Sequence, residues 1–353
     1  MRILLATDAW VPQINGVVRT YQRLAHELKL IGSELIVLGP ENFRCVPCPS
    51  YPQIGLAVPD QKHCTQLIDD AKVDAIHIAT EGPVGWMARS YCKRRRLPFT
   101  TSFHTRFADY VSARWPIPEA WVYAVQRRFH RRSAGVMVAT ESFAADLRQR
   151  GFERLLPWTR GVDTDLFRPD DVRLFGEGPV FLYAGRVAVE KNIETFLRLD
   201  LPGVKVVVGD GPQLAELQVR YPHVTFTGVR EGRELAKCYA SADVFVFPSL
   251  TDTFGMVMLE AMASGVPVAA FPVIGPKDLV TQGVSGILGE DLRAAALSAH
   301  ALDRKLVRDA ALAFTWEAAA KLFIANIEGA LNLARQKEDA VARGLRMGRV
   351  SAV

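Results

Sequence analysis

Short apolar runs alternate along this chain with longer segments whose apolar positions recur at helical spacing. Arg2–Thr7, Glu34–Gly39, Ala75–Ala79, Phe99–Phe103 and Gly135–Ala139 are brief and mostly apolar, which predicts buried strands. Val17–Leu30 carries the spacing of an amphipathic helix. The same texture restarts after residue 175. Strands are predicted at Val180–Ala184, Val204–Val208, Val224–Thr227, Val244–Pro248 and Val266–Ala270. Helices are predicted at Gln213–Arg220, Glu231–Ala240, Met256–Ala263 and Leu292–Leu302. The alternation predicts an α/β fold: two Rossmann-like, doubly wound parallel-sheet domains facing across a cleft.

Between the halves, Thr159 to Pro179 is rich in Gly, Pro and Asp and lacks periodicity, so it reads as a linker. The boundaries that follow are 1–165 for the first domain and 166–315 for the second, with a basic tail over 336–353 that is expected to fray or pack loosely. Gly255–Pro276 is weakly charged enough to resemble a membrane span. Its Gly and Pro residues break it, and helix–turn–strand is the better reading. The opening Met-Arg-Ile-Leu-Leu-Ala-Thr-Asp reads as a strand entering a loop, not as a leader.

Composition narrows the class. With 353 residues, 49% hydrophobic content and a mean hydropathy of +0.07, the chain suits two packed domains, not a disordered polymer. Five scattered cysteines suit a reducing cytoplasm. Cys45 and Cys48 form a C-x-x-C with no second pair or nearby His to complete a zinc site. The net charge of +5 is unevenly placed: Trp86–Arg132 holds eleven Lys and Arg against Asp109 and Glu119, so the remainder is net negative. No recognition motif accompanies this charge, which disfavours nucleic acid. Lys93–Arg96 and Arg127–Arg132, with Trp115 and Trp121 between them, suit an anionic membrane surface. A solvated basic face is the alternative.

The candidate chemistry lies at predicted strand ends. In Thr251-Asp-Thr-Phe-Gly-Met-Val-Met-Leu-Glu260, the carboxylates Asp252 and Glu260 flank a Phe254-Gly255 turn that opens a helix at Met256. A helix start offers N–H groups and a positive dipole end to an anion, and the carboxylates can accept from hydroxyls beside it. A buried helix capped by Asp252 is the alternative. Gly16, after Asn15, opens another helix and allows close backbone approach. Arg186 and Lys191 follow a strand and can neutralise a diphosphate without a metal. Asp210 in Gly209-Asp-Gly211 reads as a helix cap, Val229 can offer backbone groups to a base, and His104 ends a strand facing the cleft. Glu81 is a weaker candidate for contact with donor or acceptor. The Asp163-x-Asp165 pair resembles a metal site but suits turn chemistry better.

Taken in order, Asn15-Gly16-Val17, Ser102-Phe-His-Thr105, Gly161-Val-Asp163, Gly185-Arg186, Lys191, Gly209-Asp-Gly-Pro212 and the Asp252–Glu260 segment resemble a retaining glycosyltransferase of family 4, with the GT-B fold. The resemblance covers roughly residues 1–330 and is nearest to glycolipid-forming members such as sulfoquinovosyl-diacylglycerol synthases and mannosyltransferases. It implies that Glu260 holds the donor ribose and that Arg186 and Lys191 bind the diphosphate. Gly16 would approach the phosphates, and His104 would contact the sugar. The family has Glu where this chain has Asp252, which puts the donor sugar in doubt. The resemblance further implies a nucleotide-sugar donor, UDP more often than GDP, no cofactor and no metal. It identifies 316–335 with a crossover helix returning to the first domain. The favoured acceptor is a lipid such as diacylglycerol, with the enzyme peripheral on the inner face of the cytoplasmic membrane; a glycan or soluble acceptor is the alternative. An epimerase or phosphorylase of this architecture, and a nucleotide-sugar-binding or scaffold protein without catalysis, are the rival readings.

Overall fold

The computed structural model describes residues 1–13, 15–48, 51–104, 106 and 117–350, with the backbone alone at 51–54 and 337–350. Thr105, Asp109 and Trp115 lie outside the described residues. The first half runs β1 (Arg2–Ala6), α1 (Gly16–Leu30), β2 (Glu34–Leu38), β3 (Cys45–Cys48), β4 (Tyr51–Ala57), α2 (Gln61–Ala71), β5 (Ala75–Ile78), α3 (Pro83–Arg95), β6 (Thr100–Phe103), α4 (Glu119–His130), β7 (Gly135–Val138), α5 (Glu141–Gln149) and β8 (Leu155–Pro157). Its parallel sheet has the order β2-β1-β5-β6-β7-β8, and β3 and β4 form a separate antiparallel hairpin.

The second half runs β9 (Val180–Ala184), α6 (Ile193–Leu197), β10 (Val204–Val208), α7 (Leu214–Arg220), β11 (Thr225–Gly228), α8 (Gly232–Ala240), β12 (Val244–Phe247), α9 (Met256–Ala263), β13 (Val268–Ala270), α10 (Pro276–Leu279), β14 (Gly286–Leu288), α11 (Leu292–Ala299), α12 (Arg304–Ala311) and α13 (Trp316–Val350). Its sheet is parallel in the order β11-β10-β9-β12-β13-β14. The fold is thus the α/β arrangement of two parallel-sheet units that the apolar runs predict. Every residue of β5, β6, β7, β9 and β12 is buried, because helices cover both faces of each sheet. That burial is why these strands appear in the sequence as continuous apolar runs.

The Thr159–Pro179 stretch contains no helix or strand, but it is fastened to the rest of the chain. The Val162 amide donates to the Phe314 carbonyl at 3.0 Å, and Arg308 donates to the carbonyls of Phe167 and Thr164 at 3.1 and 3.2 Å. Helix α13 then returns to the first sheet. Its Ala320, Phe323, Ile327 and Leu331 pack with Ile3, Leu5, Tyr21, Leu24 and Leu28, and the Ala319 carbonyl accepts from the Trp158 indole at 3.1 Å. The helix continues past residue 335 to Val350. Its Ala, Arg, Lys and Glu content accounts for that.

Gly161 sits where the connecting stretch meets α13. A Cβ there would lie 2.2 Å from the Trp316 nitrogen and 2.5 Å from the Thr315 carbonyl carbon, both backbone atoms. Gly161→Ala is expected to destabilise the protein by about 2–3 kcal/mol through overpacking, read as a lowered midpoint in urea unfolding.

Candidate active site

Parallel strands deliver their carboxyl ends to one side, and a crevice opens where the strand order reverses. In the second sheet that reversal falls at β9, which lies between β10 and β12. The loop after β9 carries Gly185, Arg186 and Lys191; the loop after β12 carries Thr251, Asp252 and Gly255. They are tied together. The Asn192 amide side chain donates to the Pro248 carbonyl at 3.0 Å, and the Thr251 hydroxyl donates to the Glu190 carbonyl at 3.2 Å. Lys191 Nζ reaches Asp252 Oδ1 at 2.5 Å, both side chains about one-fifth exposed. Asp252 therefore does not cap α9. Gly255, at φ +88, begins that helix, and a Cβ there would meet Met258 Cε at 2.6 Å.

Backbone approach also shapes the β9–β10 edge. A Cβ on Gly209, at φ +139, would lie 1.9 Å from the Gly185 carbonyl oxygen, and one on Gly211 would lie 2.3 Å from the Val187 carbonyl oxygen. Asp210 accepts from the adjacent Gly211 amide at 2.7 Å. It does not cap α7, which starts after Gln213. The short link from β10 to α7 leaves the cap position to Gln213.

Glu260 lies one turn into α9 from Met256 and lines a cleft of about 270 Å³ between the two halves. Across the cleft stand Arg19 and Arg23 of α1, with Asp163 and Glu231 at its sides. Arg19 pairs with Glu231 at 3.2 Å, and Arg23 with Asp163 at 3.2 Å. The other oxygen of Asp163 accepts from the Leu166 amide at 3.0 Å, so this carboxylate does turn chemistry. Among the described residues, no cluster of three or more His, Cys, Asp and Glu has metal-binding geometry. Burial pushes the Glu260 carboxyl up to about 6, opposed by a 2.7 Å hydrogen bond from the Tyr239 hydroxyl and by the charge of Arg19. At neutral pH the group is mostly ionised and ready to accept from a hydroxyl.

His104 follows β6 and sits in a polar network inside the first unit. Arg160 Nη2 is 3.1 Å from its Nδ1, and the Tyr21 hydroxyl is 2.9 Å from its Nε2. A guanidinium can only donate, so Nδ1 must carry the lone pair and Nε2 the proton. Tyr21 also reaches His77 Nε2 at 3.0 Å and donates to the Ser102 hydroxyl at 3.1 Å. Burial and the Arg160 charge hold His104 well below the ordinary histidine range, so it is neutral. Arg160 is only 4% exposed and stacks over the Trp158 ring at 3.8 Å. Burial lowers it to about 10, which leaves it charged. The network reaches the second half through one bond at the site, from the Thr253 hydroxyl to the His104 carbonyl at 2.7 Å.

The predicted residues thus gather in two adjoining places. Lys191 and Asp252 form one, with His104 brought in by Thr253; Met256 and Glu260 face the cleft beside α1. Gly16 begins α1, whose Val17 and Val18 amides are capped by Asn15 at 3.0 Å each, and Thr20 of the same helix meets Met256 Sδ at 3.5 Å. Phe254 buries its ring in the second core, so only its backbone is available at the site. Val229 is 54% exposed beyond β11. Glu81 accepts from Gln126 at 3.2 Å and lies 3.2 Å from His130. Sequence reasoning missed Arg160, Tyr21, Thr253 and Tyr239. The only available signal was an Arg beside Trp158 and Gly161 in a stretch otherwise rich in acid.

Two parallel-sheet units with strand-end loops gathered at the cleft between them make the architecture of a GT-B glycosyltransferase. Residues 14–166 match the Glycosyltransferase Family 4 model and residues 178–304 match Glycosyl transferases group 1, and the chain belongs to this glycosyltransferase family. It is 30% identical over 319 residues to a GDP-mannose-dependent alpha-mannosyltransferase of Mycobacterium tuberculosis, covering 82% of this chain and 83% of that one. It is 26% identical to the alpha-monoglucosyldiacylglycerol synthase of Streptococcus pneumoniae, over 87% and 82% of the two chains. Among solved structures, sucrose-phosphate synthase of Thermosynechococcus elongatus superposes with a TM-score of 0.74 at 22% identity, over 96% and 99% of the chains, which establishes likeness of fold.

The environment of Glu260 has a sign that can be tested. Its folded pKa lies above the ordinary value of 4.5, so between about 4.5 and 6 the folded state binds more protons than the unfolded one, and stability falls as pH rises through that window. Tyr239→Phe removes a bond that favours the ionised form. It is expected to move the Glu260 titration higher, and Glu260→Gln to flatten the curve, both read from unfolding between pH 4 and 7. Arg160→Met is expected to return His104 toward the ordinary histidine range and free its tautomer, read by nitrogen NMR of labelled histidine.

Proposed function

We propose that this glycosyltransferase moves a hexose, with retention of anomeric configuration, from a nucleotide diphosphate sugar to the hydroxyl of a membrane lipid such as diacylglycerol. The observation that carries this reading is the Lys191–Asp252 pair at the strand-order reversal, beside the start of α9. A diphosphate entering there draws Lys191 away from Asp252 and leaves that carboxylate to accept from sugar hydroxyls. Arg186 adds a second cation from the same loop. Gly16 lies at the phosphate end, Val229 and the backbone of Phe254, Gly255 and Met256 line the nucleotide side, and Glu260 takes the ribose hydroxyls. Two cations neutralise the leaving group, so the scheme needs neither metal nor cofactor.

In the transfer, the bond from the anomeric carbon to the diphosphate oxygen breaks while the acceptor oxygen bonds to the same face of the sugar. The acceptor proton passes to the departing phosphate oxygen. Lys191, Arg186 and the N-terminus of α9 stabilise the charge that develops there. His104, with both ring nitrogens engaged by Tyr21 and Arg160, shapes the sugar pocket and transfers no proton.

The lipid acceptor is supported by the basic stretch of the first half, where Trp121 is 70% exposed, and by the diacylglycerol synthase among the relatives. On this reading the enzyme works at the cytoplasmic face of an anionic membrane. UDP is the proposed donor nucleotide, by analogy with the fold. A GDP-mannose donor is the second reading, favoured by the mannosyltransferase relative. The test is incubation with labelled UDP-glucose and GDP-mannose in vesicles of phosphatidylglycerol and diacylglycerol. An α-linked sugar in the lipid fraction is the expected product. A β-linked product overturns retention, and the absence of both transfer and donor hydrolysis from every donor overturns the whole reading.

A further inference from the structure

The excess positive charge of the first half is concentrated in a concavity. A cavity of about 670 Å³ is lined by Arg89 and Lys93 from α3, Arg128, Arg131 and Arg132 at the end of α4, and Arg154 just before β8. Glu153 is the one carboxylate in its lining among the described residues. Arg131 and Arg132 precede β7 and Arg154 precedes β8, so the cavity lies at the amino ends of the strands. The donor cleft lies at their carboxyl ends. The two sites are at opposite poles of the first sheet.

Some exposed cations of this protein are matched with acids one or two turns away: Arg148 with Glu141 at 2.6 Å, Lys305 with Asp309 at 2.9 Å, Lys321 with Glu317 at 2.6 Å. In the cavity Arg154 meets Glu153 at 3.9 Å. Among the described residues, Lys93, Arg128, Arg131 and Arg132 have no carboxylate within 4.0 Å. The ends of α3 and α4 each favour a nearby cation, but Arg132 and Arg154 lie beyond both helices. The wall is also built. Arg89 is 8% exposed, and its guanidinium donates to the carbonyls of Phe129 at 2.8 Å and Arg128 at 2.7 Å. Its pKa is lowered by burial and then by the charges of Arg128, Arg132 and Arg131. Like charges collected in a concavity repel one another, and an anion seated among them removes that cost.

We infer that this cavity is a second anion site, distinct from the donor cleft, that takes a group bearing two or more clustered phosphates. One phosphate brings about two negative charges, too few for the seven Lys and Arg of the lining, Arg127 included; a diphosphate or a multiply phosphorylated group comes closer, and arginine forks donate to such oxygens two at a time. The phosphates belong either to a lipid headgroup or to a soluble polyphosphate.

The site is tested without any assay of sugar transfer, so its failure is separate from failure of the proposed reaction. Tripolyphosphate is titrated calorimetrically into the full-length protein, the Arg128→Glu/Arg132→Glu double variant and a Lys305→Glu control. All three positions are exposed, and far-ultraviolet circular dichroism confirms the fold of each. One-to-one binding by the native protein and the control, weakened at least tenfold in the double variant and reduced by added salt, is expected. Absent binding, or equal binding by all three, overturns the site. Sedimentation with phosphatidylglycerol vesicles then assigns the source. Vesicle binding lost in the double variant and displaced by tripolyphosphate supports the site with a headgroup as occupant. Vesicle binding that the variant keeps supports it with a soluble anion.

Discussion

A parallel sheet has a direction, and the rest of the site depends on it. All strands of each sheet end on one side, so the connections that follow them share one rim. In the second sheet the chain starts at the centre, builds outward to β11, then crosses back to β12. The two loops on either side of that reversal have no helix between them to fill the gap. They fill it with their own side chains: Asn192 on the Pro248 carbonyl and Lys191 on Asp252. The glycines at 185, 209 and 211 let neighbouring backbones close to distances that a Cβ would forbid.

Charge in the cleft is held in a partly committed state. Lys191 is matched with Asp252, Arg19 with Glu231 and Arg23 with Asp163. Glu260 is treated differently. It is buried against Tyr239 with its pKa raised toward 6, yet at neutral pH it stays mostly ionised and able to accept from hydroxyls. Arg160 is 4% exposed, and it contacts the neutral His104 imidazole and the carbonyls of Trp158 and Thr159. It thereby fixes which nitrogen of His104 carries the proton.

Much of this was legible in the chain. The five-residue apolar run Val180–Ala184 located β9 to the residue because two-sided burial leaves no alternation to confuse it; Val204–Val208 located β10 equally well although Lys205 interrupts the run and only its last three residues are fully buried. The β3–β4 hairpin was missed: its strands hold Pro47 and Pro52, and β3 is mostly exposed, so no apolar run marks it. β8 and β14, at three residues each, are too short to signal. In the site, Lys191, Asp252 and Glu260 were legible because each stands in a turn or first helical turn with distinctive neighbours. Tyr239 and Arg160 were not, because their partners Glu260 and His104 lie 21 and 56 residues away. The basic residues were plain in the sequence, but their concavity needed the folded packing of α3, α4 and the turn before β8.

The return of α13 has a consequence for how the molecule is made. The first sheet buries Ile3, Leu5, Tyr21, Leu24 and Leu28 against Phe323, Ile327 and Leu331. On a ribosome those partners emerge only after the whole second sheet has been synthesised. The first sheet therefore completes its core only after the second has been made, and its apolar face stays uncovered until then. Cut free at the connecting stretch, the first half would lack Phe323, Ile327 and Leu331 from its interior. The chain behaves in biogenesis as one circuit, closed by the helix that follows the second sheet.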